Sequence, residues 1–178
     1  DIEIDGVRMV GPNATDTYTA NSNGMTGTGL VSAYLVNVVI KNCDIRNFGQ
    51  SGIFLNYLAA GVIENNTIEN VGYSGVHILS GFDCKVHGNK IVRCYPGSGA
   101  GVVGSSAAYG ISATRNASLS AIAAPPSKNV LVTNNIVRNV TTWEGLDTHG
   151  GDGITFAGNI VENCWVAANV IHADGGGS

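Results

Sequence analysis

Short apolar runs recur along the chain, and within each of them hydrophobic and polar residues alternate. Four of these runs start at a glycine: Gly52-Ile-Phe-Leu, Gly75-Val-His-Ile, Gly110-Ile-Ser-Ala and Gly145-Leu-Asp-Thr. A period of two is that of a strand with one buried face, and no stretch carries the 3.6-residue period of an amphipathic helix. A second set of segments aligns with itself. Ile40-Lys-Asn-Cys-Asp-Ile45-Arg-Asn47 matches Ile63-Glu-Asn-Asn-Thr-Ile68-Glu-Asn70, and the same frame fits the segments beginning at Val86, Val132 and Phe156. One column of that frame reads Cys43, Asn66, Asn89, Asn135, Asn159, at spacings of 23, 23, 46 and 24 residues. The interval of 46 holds one enlarged turn of the repeat, with insertions near 95–108 and 115–128.

A unit of about 23 residues with two or three short strands cannot bury its apolar face alone, whereas stacked units share a continuous core. Asparagines recurring at one corner fit a ladder of side-chain amides running from coil to coil. The asparagine column and the Gly-Ile strand starts resemble the right-handed parallel β-helix proteins of the pectate-lyase-like group, over about residues 35–174. The Leu-x-x-Leu-x-Leu pattern of leucine-rich repeats is absent. The resemblance implies an all-β, right-handed, single-stranded parallel β-helix. Residues 1–174 then form one solenoid, with 1–34 as a preceding coil carrying a loop outgrowth, followed by a Gly/Ser tail at 175–178. The strand pattern is already running at Ile2, without an initiator methionine, so the sequence reads as a fragment of a longer β-helix.

Composition narrows the function classes. Charged residues make up only 12% and the net charge is −4 with no Lys/Arg cluster, so no nucleic-acid-binding face is expected. No apolar run is long enough for a membrane span. The four cysteines have no CxxC spacing, which argues against zinc; Cys84, Cys94 and Cys164 occupy repeat positions otherwise filled by aliphatic residues and read as core thiols. No metal site is legible and no cofactor is expected. At most a single calcium ion shared by Asp147 and Asp174 fits so sparse a set of acids.

With the aliphatic residues Ile53, Val76, Ile111, Leu146 and Ile171 pointing inward, the outward positions form two columns. One reads Phe54, His77, Ser112, Asp147, His172, and the other Asn56, Leu79, Thr114, His149, Asp174. Asp147, His149, His172 and Asp174 would thus form a two-by-two patch of acids and imidazoles on an exposed face. Carboxylates raise the affinity of a neighbouring histidine for protons, and a His/Asp pair serves as donor and acceptor near neutral pH. Around this patch, Tyr109 offers a further proton-transfer group and Arg115 a partner for a sugar carboxylate. Trp143 supplies a stacking surface, Glu144 a further acid and His77 a contact about two coils away. The rival reading is a ladder of charges that only keeps the sheet soluble, which describes His87 best.

Glu144-Gly-Leu-Asp147-Thr-His149 also resembles the Tyr-Gly-Phe-Asp-Pro-His motif of mannuronan C5-epimerases and related β-helix polysaccharide lyases. Carried over by position, Asp147 and His149 match the motif acid and histidine, and Asp174 falls near a further family acid. Glu144 stands in place of the motif tyrosine and Thr148 in place of its proline, leaving Tyr109 of the adjacent coil as the available phenol. The stretch from Trp143 to Gly151 is similar to strands of bacteriophage tail spikes, which implies a glycan partner, an extracellular setting (secreted or on a virion tail) and a possible homotrimer. The expected function is binding and cleavage of an acidic or complex polysaccharide, by β-elimination or, close behind it, by hydrolysis. The alternative is a non-catalytic glycan- or receptor-binding module, such as a tail-spike or adhesin segment.

Overall fold

The computed structural model describes residues 1–12, 23–28, 32–96, 107–116 and 119–172, with only the backbone of 171 and 172. Asp174, the 175–178 tail and residues 97–106 of the first insertion lie outside the described residues. The described chain is all-β, and every pairing between its coils is parallel. Among the described residues, no helix is long and apolar enough to cross a membrane.

Three ladders wind around one core. The first stacks Ile2–Asp5, Val38–Lys41, Val62–Glu64, Lys85–His87, Leu131–Thr133 and Thr155–Ala157. The second stacks Arg8–Val10, Asp44–Phe48, Thr67–Val71 and Lys90–Cys94 on the start of the long strand Ile136–Asp152. The third stacks Met25–Thr28, Ile53–Asn56, Ser74–Leu79 and Tyr109–Thr114 on the later part of that same strand. A last strand, Ile160–His172, covers both parts. This is the expected parallel β-helix.

Each ladder contributes an apolar column. Ile40, Ile63, Val86 and Val132 lie in register in the first, and Ile45, Ile68, Ile91 and Val137 in the second. Ile53, Val76, Ile111 and Leu146 form the third column. All are buried. Burial of each is worth roughly 1.5–3 kcal/mol, and this is the gain that an isolated coil lacks. The leading glycines of the third ladder have a steric cause. A Cβ on Gly75 would stand 2.5 Å from Ile91 Cγ2 and 2.6 Å from the Gly110 carbonyl oxygen. Only a residue without a side chain lets the coils approach there.

The asparagine ladder is present as expected. The Asn89 carboxamide oxygen accepts from the Asn66 backbone N–H (3.0 Å) and side-chain amide (2.9 Å), while its own amide donates to Ile63 O (2.9 Å) and Asn135 Oδ1 (3.0 Å). Asn66, Asn135 and Asn159 repeat the motif. Further asparagines have another cause: Asn42, Asn65 and Asn134 at one corner, and Asn47, Asn70, Asn139 and Asn163 at another, all have φ between 53° and 63°. Asparagine tolerates this left-handed conformation better than other residues with a Cβ. Three cysteines are buried in the core, Cys164 is half-buried, and all four are unpaired.

Candidate active-site groove

The outward face of the third ladder places Phe54, His77, Ser112 and Asp147 side by side on successive coils. The register matches the expectation, but the exposure does not. His77 is only 3% exposed, and Ser112 and Asp147 only 1%. The cover comes from aromatic side chains one or two residues before the leading glycine in three of the four coils: Tyr73, Tyr109 and Trp143. The His77 ring stacks between Phe54 (centroids 5.6 Å apart) and Tyr73 (5.3 Å), with Tyr109 edge-on at 6.2 Å. These rings floor an open groove of about 620 Å³, which Arg115, Asp147 and His149 also line. Solvating the sheet is therefore not the purpose of this column, because its polar members are withdrawn from water.

Asp147 anchors the polar end. The Ser112 hydroxyl donates to its Oδ2 at 2.7 Å. On its other side Oδ1 lies 2.5 Å from His149 Nδ1, off the line of an aligned hydrogen bond. Burial pushes the Asp147 carboxyl up to about 7; the Ser112 hydroxyl and His149 oppose this, and the neighbouring Glu144 carboxyl reinforces it. Glu144, 3% exposed, accepts from the Asn169 amide at 2.6 Å through Oε1. Its Oε2 has no hydrogen-bond partner among the described residues and lies 4.0 Å from His149 Nδ1. His149 is the member that reaches the groove, with a side chain 39% exposed. Its Nε2 lies 3.1 Å from the Asn169 amide, and the Thr114 hydroxyl donates to its backbone carbonyl.

Two groups complete the rim. Burial raises the affinity of the Tyr109 hydroxyl for its proton, and Tyr73, Asp147 and Glu144 add to the effect, with only the Trp143 indole opposing. Tyr109 is thus held as a neutral phenol. Arg115 lays its stem over Gly150, whose φ of 80° and lack of a side chain make room for it. Its guanidinium donates to Leu119 O at 2.9 Å and has no ion-pair partner among the described residues. The loop that provides this carbonyl is tied back to the solenoid by the Tyr57 hydroxyl, which donates to Ala123 O at 2.6 Å.

Asp147, His149, Tyr109, Trp143, Arg115 and His77, all expected from the sequence, therefore meet at one groove. Three expectations need correction or fall away. Glu144 does not face a ligand; it lies beneath the surface against Asp147 and His149. His172 does not extend the Asp147 column: Asp147 pairs with Asn169 and Leu146 with Ala168, while His172 pairs with Gly151. The last coil runs three residues ahead of the expected alignment of Ile171 with Leu146, so the two-by-two patch does not form. Asp174 lies outside the described residues, and with it any calcium shared with Asp147. Glu144, Asp147 and His149 do offer ligand atoms within 4.8 Å of one another. However, the 2.5 Å between Nδ1 and Oδ1 is shorter than the separation of two ligands on one tetrahedral ion.

Sequence reasoning assigned no role to Tyr73, Ser112 or Asn169. Tyr73 had a legible signal, since an aromatic residue precedes the leading glycine by one or two positions in three coils (Tyr73, Tyr109, Trp143). A family model described as a right-handed β-helix region matches residues 28–178. No curated protein and no solved structure matches the chain.

Proposed function

The chain belongs to the right-handed β-helix family, and from that premise we propose that its groove binds an acidic polysaccharide and cleaves it by β-elimination. Family membership is compatible with proteins that bind or degrade polysaccharides. The observation that carries the finer reading is the opening of Tyr109, His149 and Arg115, which has no ion-pair partner among the described residues, onto one groove floored by aromatic rings. β-Elimination from a uronate needs those three functions. Arg115 neutralises the uronate carboxylate, which makes the C5 proton acidic. His149 takes that proton as the C5–H bond breaks, leaving the electron pair on C5 and the carboxylate as an enolate. That pair then forms the C4–C5 double bond as the C4–O4 bond breaks, and the leaving oxygen receives the Tyr109 proton. Asp147, behind the imidazole, stabilises the positive charge that His149 acquires.

Hydrolysis has weaker support. Its acid pair would be Glu144 and Asp147, and both are buried behind His149. Binding without chemistry is favoured by one observation, the stack of Phe54, His77 and Tyr73, which suits a sugar face and needs no proton transfer.

The test is incubation with alginate, polygalacturonate and glycosaminoglycans, following both ultraviolet absorbance of the unsaturated product and reducing ends. We expect both signals from the native sequence, neither from His149→Ala, and a KM raised on the order of tenfold by Arg115→Ala. Reducing ends without absorbance would replace elimination with hydrolysis. Binding with neither signal would leave a recognition module and defeat the catalytic reading.

A further inference from the structure

Asn169 stands on the last strand, paired with Asp147, at the place where the sequence alignment had put His172. One atom of it makes two contacts: Nδ2 lies 2.6 Å from Glu144 Oε1 and 3.1 Å from His149 Nε2. A carboxamide nitrogen donates two hydrogen bonds and accepts none. Both neighbours must then be acceptors, so neither Glu144 Oε1 nor His149 Nε2 carries a proton. The single proton of a neutral imidazole is left on Nδ1, the nitrogen 2.5 Å from Asp147 Oδ1. This orientation of the amide is the one that an ionised Glu144 favours. Turned over, Asn169 would set its own oxygen 2.6 Å from Glu144 Oε1, a repulsive contact unless Glu144 were protonated.

We propose that Asn169 is a positioning residue that fixes His149 in its Nδ1–H form and ties the lone pair on Nε2 to the ionisation of Glu144. The inference rests on the reading of His149 as the base, and gives buried Glu144 a part in the reaction that it cannot play by contact. When Nε2 takes a proton it ceases to be an acceptor. Asn169 must then release it or present its oxygen, and an oxygen in that position calls for a proton on Glu144. Proton uptake at the groove is in this way coupled to a carboxyl that no substrate touches. The groups facing His149 that share in this titration are Asp147 and Glu144 on its own strand, Arg115 beside Gly150, and Tyr109 and His77 along the groove.

Ring-nitrogen NMR on the full chain, labelled with ¹⁵N at histidine, tests this without a substrate. We expect Nδ1 of His149 to carry the proton and Nε2 to show the shift of a bare ring nitrogen. In Asn169→Leu and in Glu144→Gln the ring should shift toward the other tautomer, because the first removes the donor and the second the charge that orients it. The two variants alter different strands, so misfolding of one leaves the other informative. A proton on Nε2 in the native sequence, or an unchanged tautomer in a folded variant, overturns the inference. Where elimination is observed, Asn169→Leu should lower kcat on the order of tenfold with KM held, and displace the acidic limb of the kcat profile, which reports the base. The expected ring shifts with no polysaccharide cleaved would uphold the role of Asn169 and defeat only the elimination reading. Elimination by a native chain protonated at Nε2 would do the reverse.

Discussion

Ala60 has a φ of 51° at a corner where its neighbours up and down the stack are Asn37, Asp83, Asn129 and Gly153. A left-handed conformation costs a residue with a Cβ roughly 1–2 kcal/mol, and asparagine less, because its short side chain bonds locally. The corner also rewards an amide, as Asn37 donates to Asp1 and Asn129 to Asp83 along the same edge. Ala60→Asn should therefore raise the unfolding free energy by about 1 kcal/mol, read from urea denaturation; an equal or lower value would show that the corner is not strained. This residue-scale logic explains why composition was only partly legible. The single column of Asn66, Asn89 and Asn135 could be read from spacing, because its members recur at one place in the repeat. Asn42 and Asn47 serve backbone geometry instead, at places that Gly88 and Arg93 occupy in another coil.

At the scale of the strand, the glycine-led ladder decides where the groove chemistry falls. A methyl group on Gly110 would overlap Val137 Cγ1 and the Gly145 carbonyl, both in the core of the stack. Neither is the free end of a flexible side chain, so Gly110→Ala should cost about 2–3 kcal/mol. The displaced strand also carries Tyr109, so the variant should lose near-ultraviolet circular dichroism from the Tyr73–Tyr109 contact before it unfolds. An unchanged spectrum with native stability would contradict the close approach. These glycines made Ser112 and Asp147 easy to align from the sequence. The last coil has no such guide. Between Val140 and Glu144 the long strand uses four steps where its partner, from Cys164 to Val166, uses two. That bulge moves every later residue by two, and the 24-residue offset before it (Val137 with Val161), against the 25 expected, supplies the third, so Asn169, and not His172, faces Asp147. Alternating polarity fixes which face a residue takes, but not how many residues a bulge consumes.

Across the whole molecule, the groove places opposed demands on stability. Burial lowers the His77 pKa to about 4, against 6.5 for a free histidine, and its Nδ1 has no hydrogen-bond partner among the described residues. Below pH 6.5 the unfolded chain takes up a proton that the folded chain refuses, so His77 makes stability fall as the pH drops toward 4. Asp147 acts with the other sign. Its carboxyl, pushed up to about 7 from 3.8, keeps a proton that the unfolded chain has already released. It therefore makes stability fall as the pH rises from 4 toward 7. Over the shared interval the two slopes cancel, and neither effect is visible while both residues are present. Asp147→Asn should unmask the histidine, so that stability climbs with pH between 4 and 6.5. His77→Phe should unmask the carboxyl, so that stability declines across the same interval. Each slope is bounded by about 1.4 kcal/mol per pH unit, the value for one proton. Denaturation curves of the three proteins at four or five pH values give the comparison. Three parallel profiles would mean that water reaches both groups, and that the aromatic cover of Phe54, Tyr73 and Tyr109 does not seal the floor of the groove in solution.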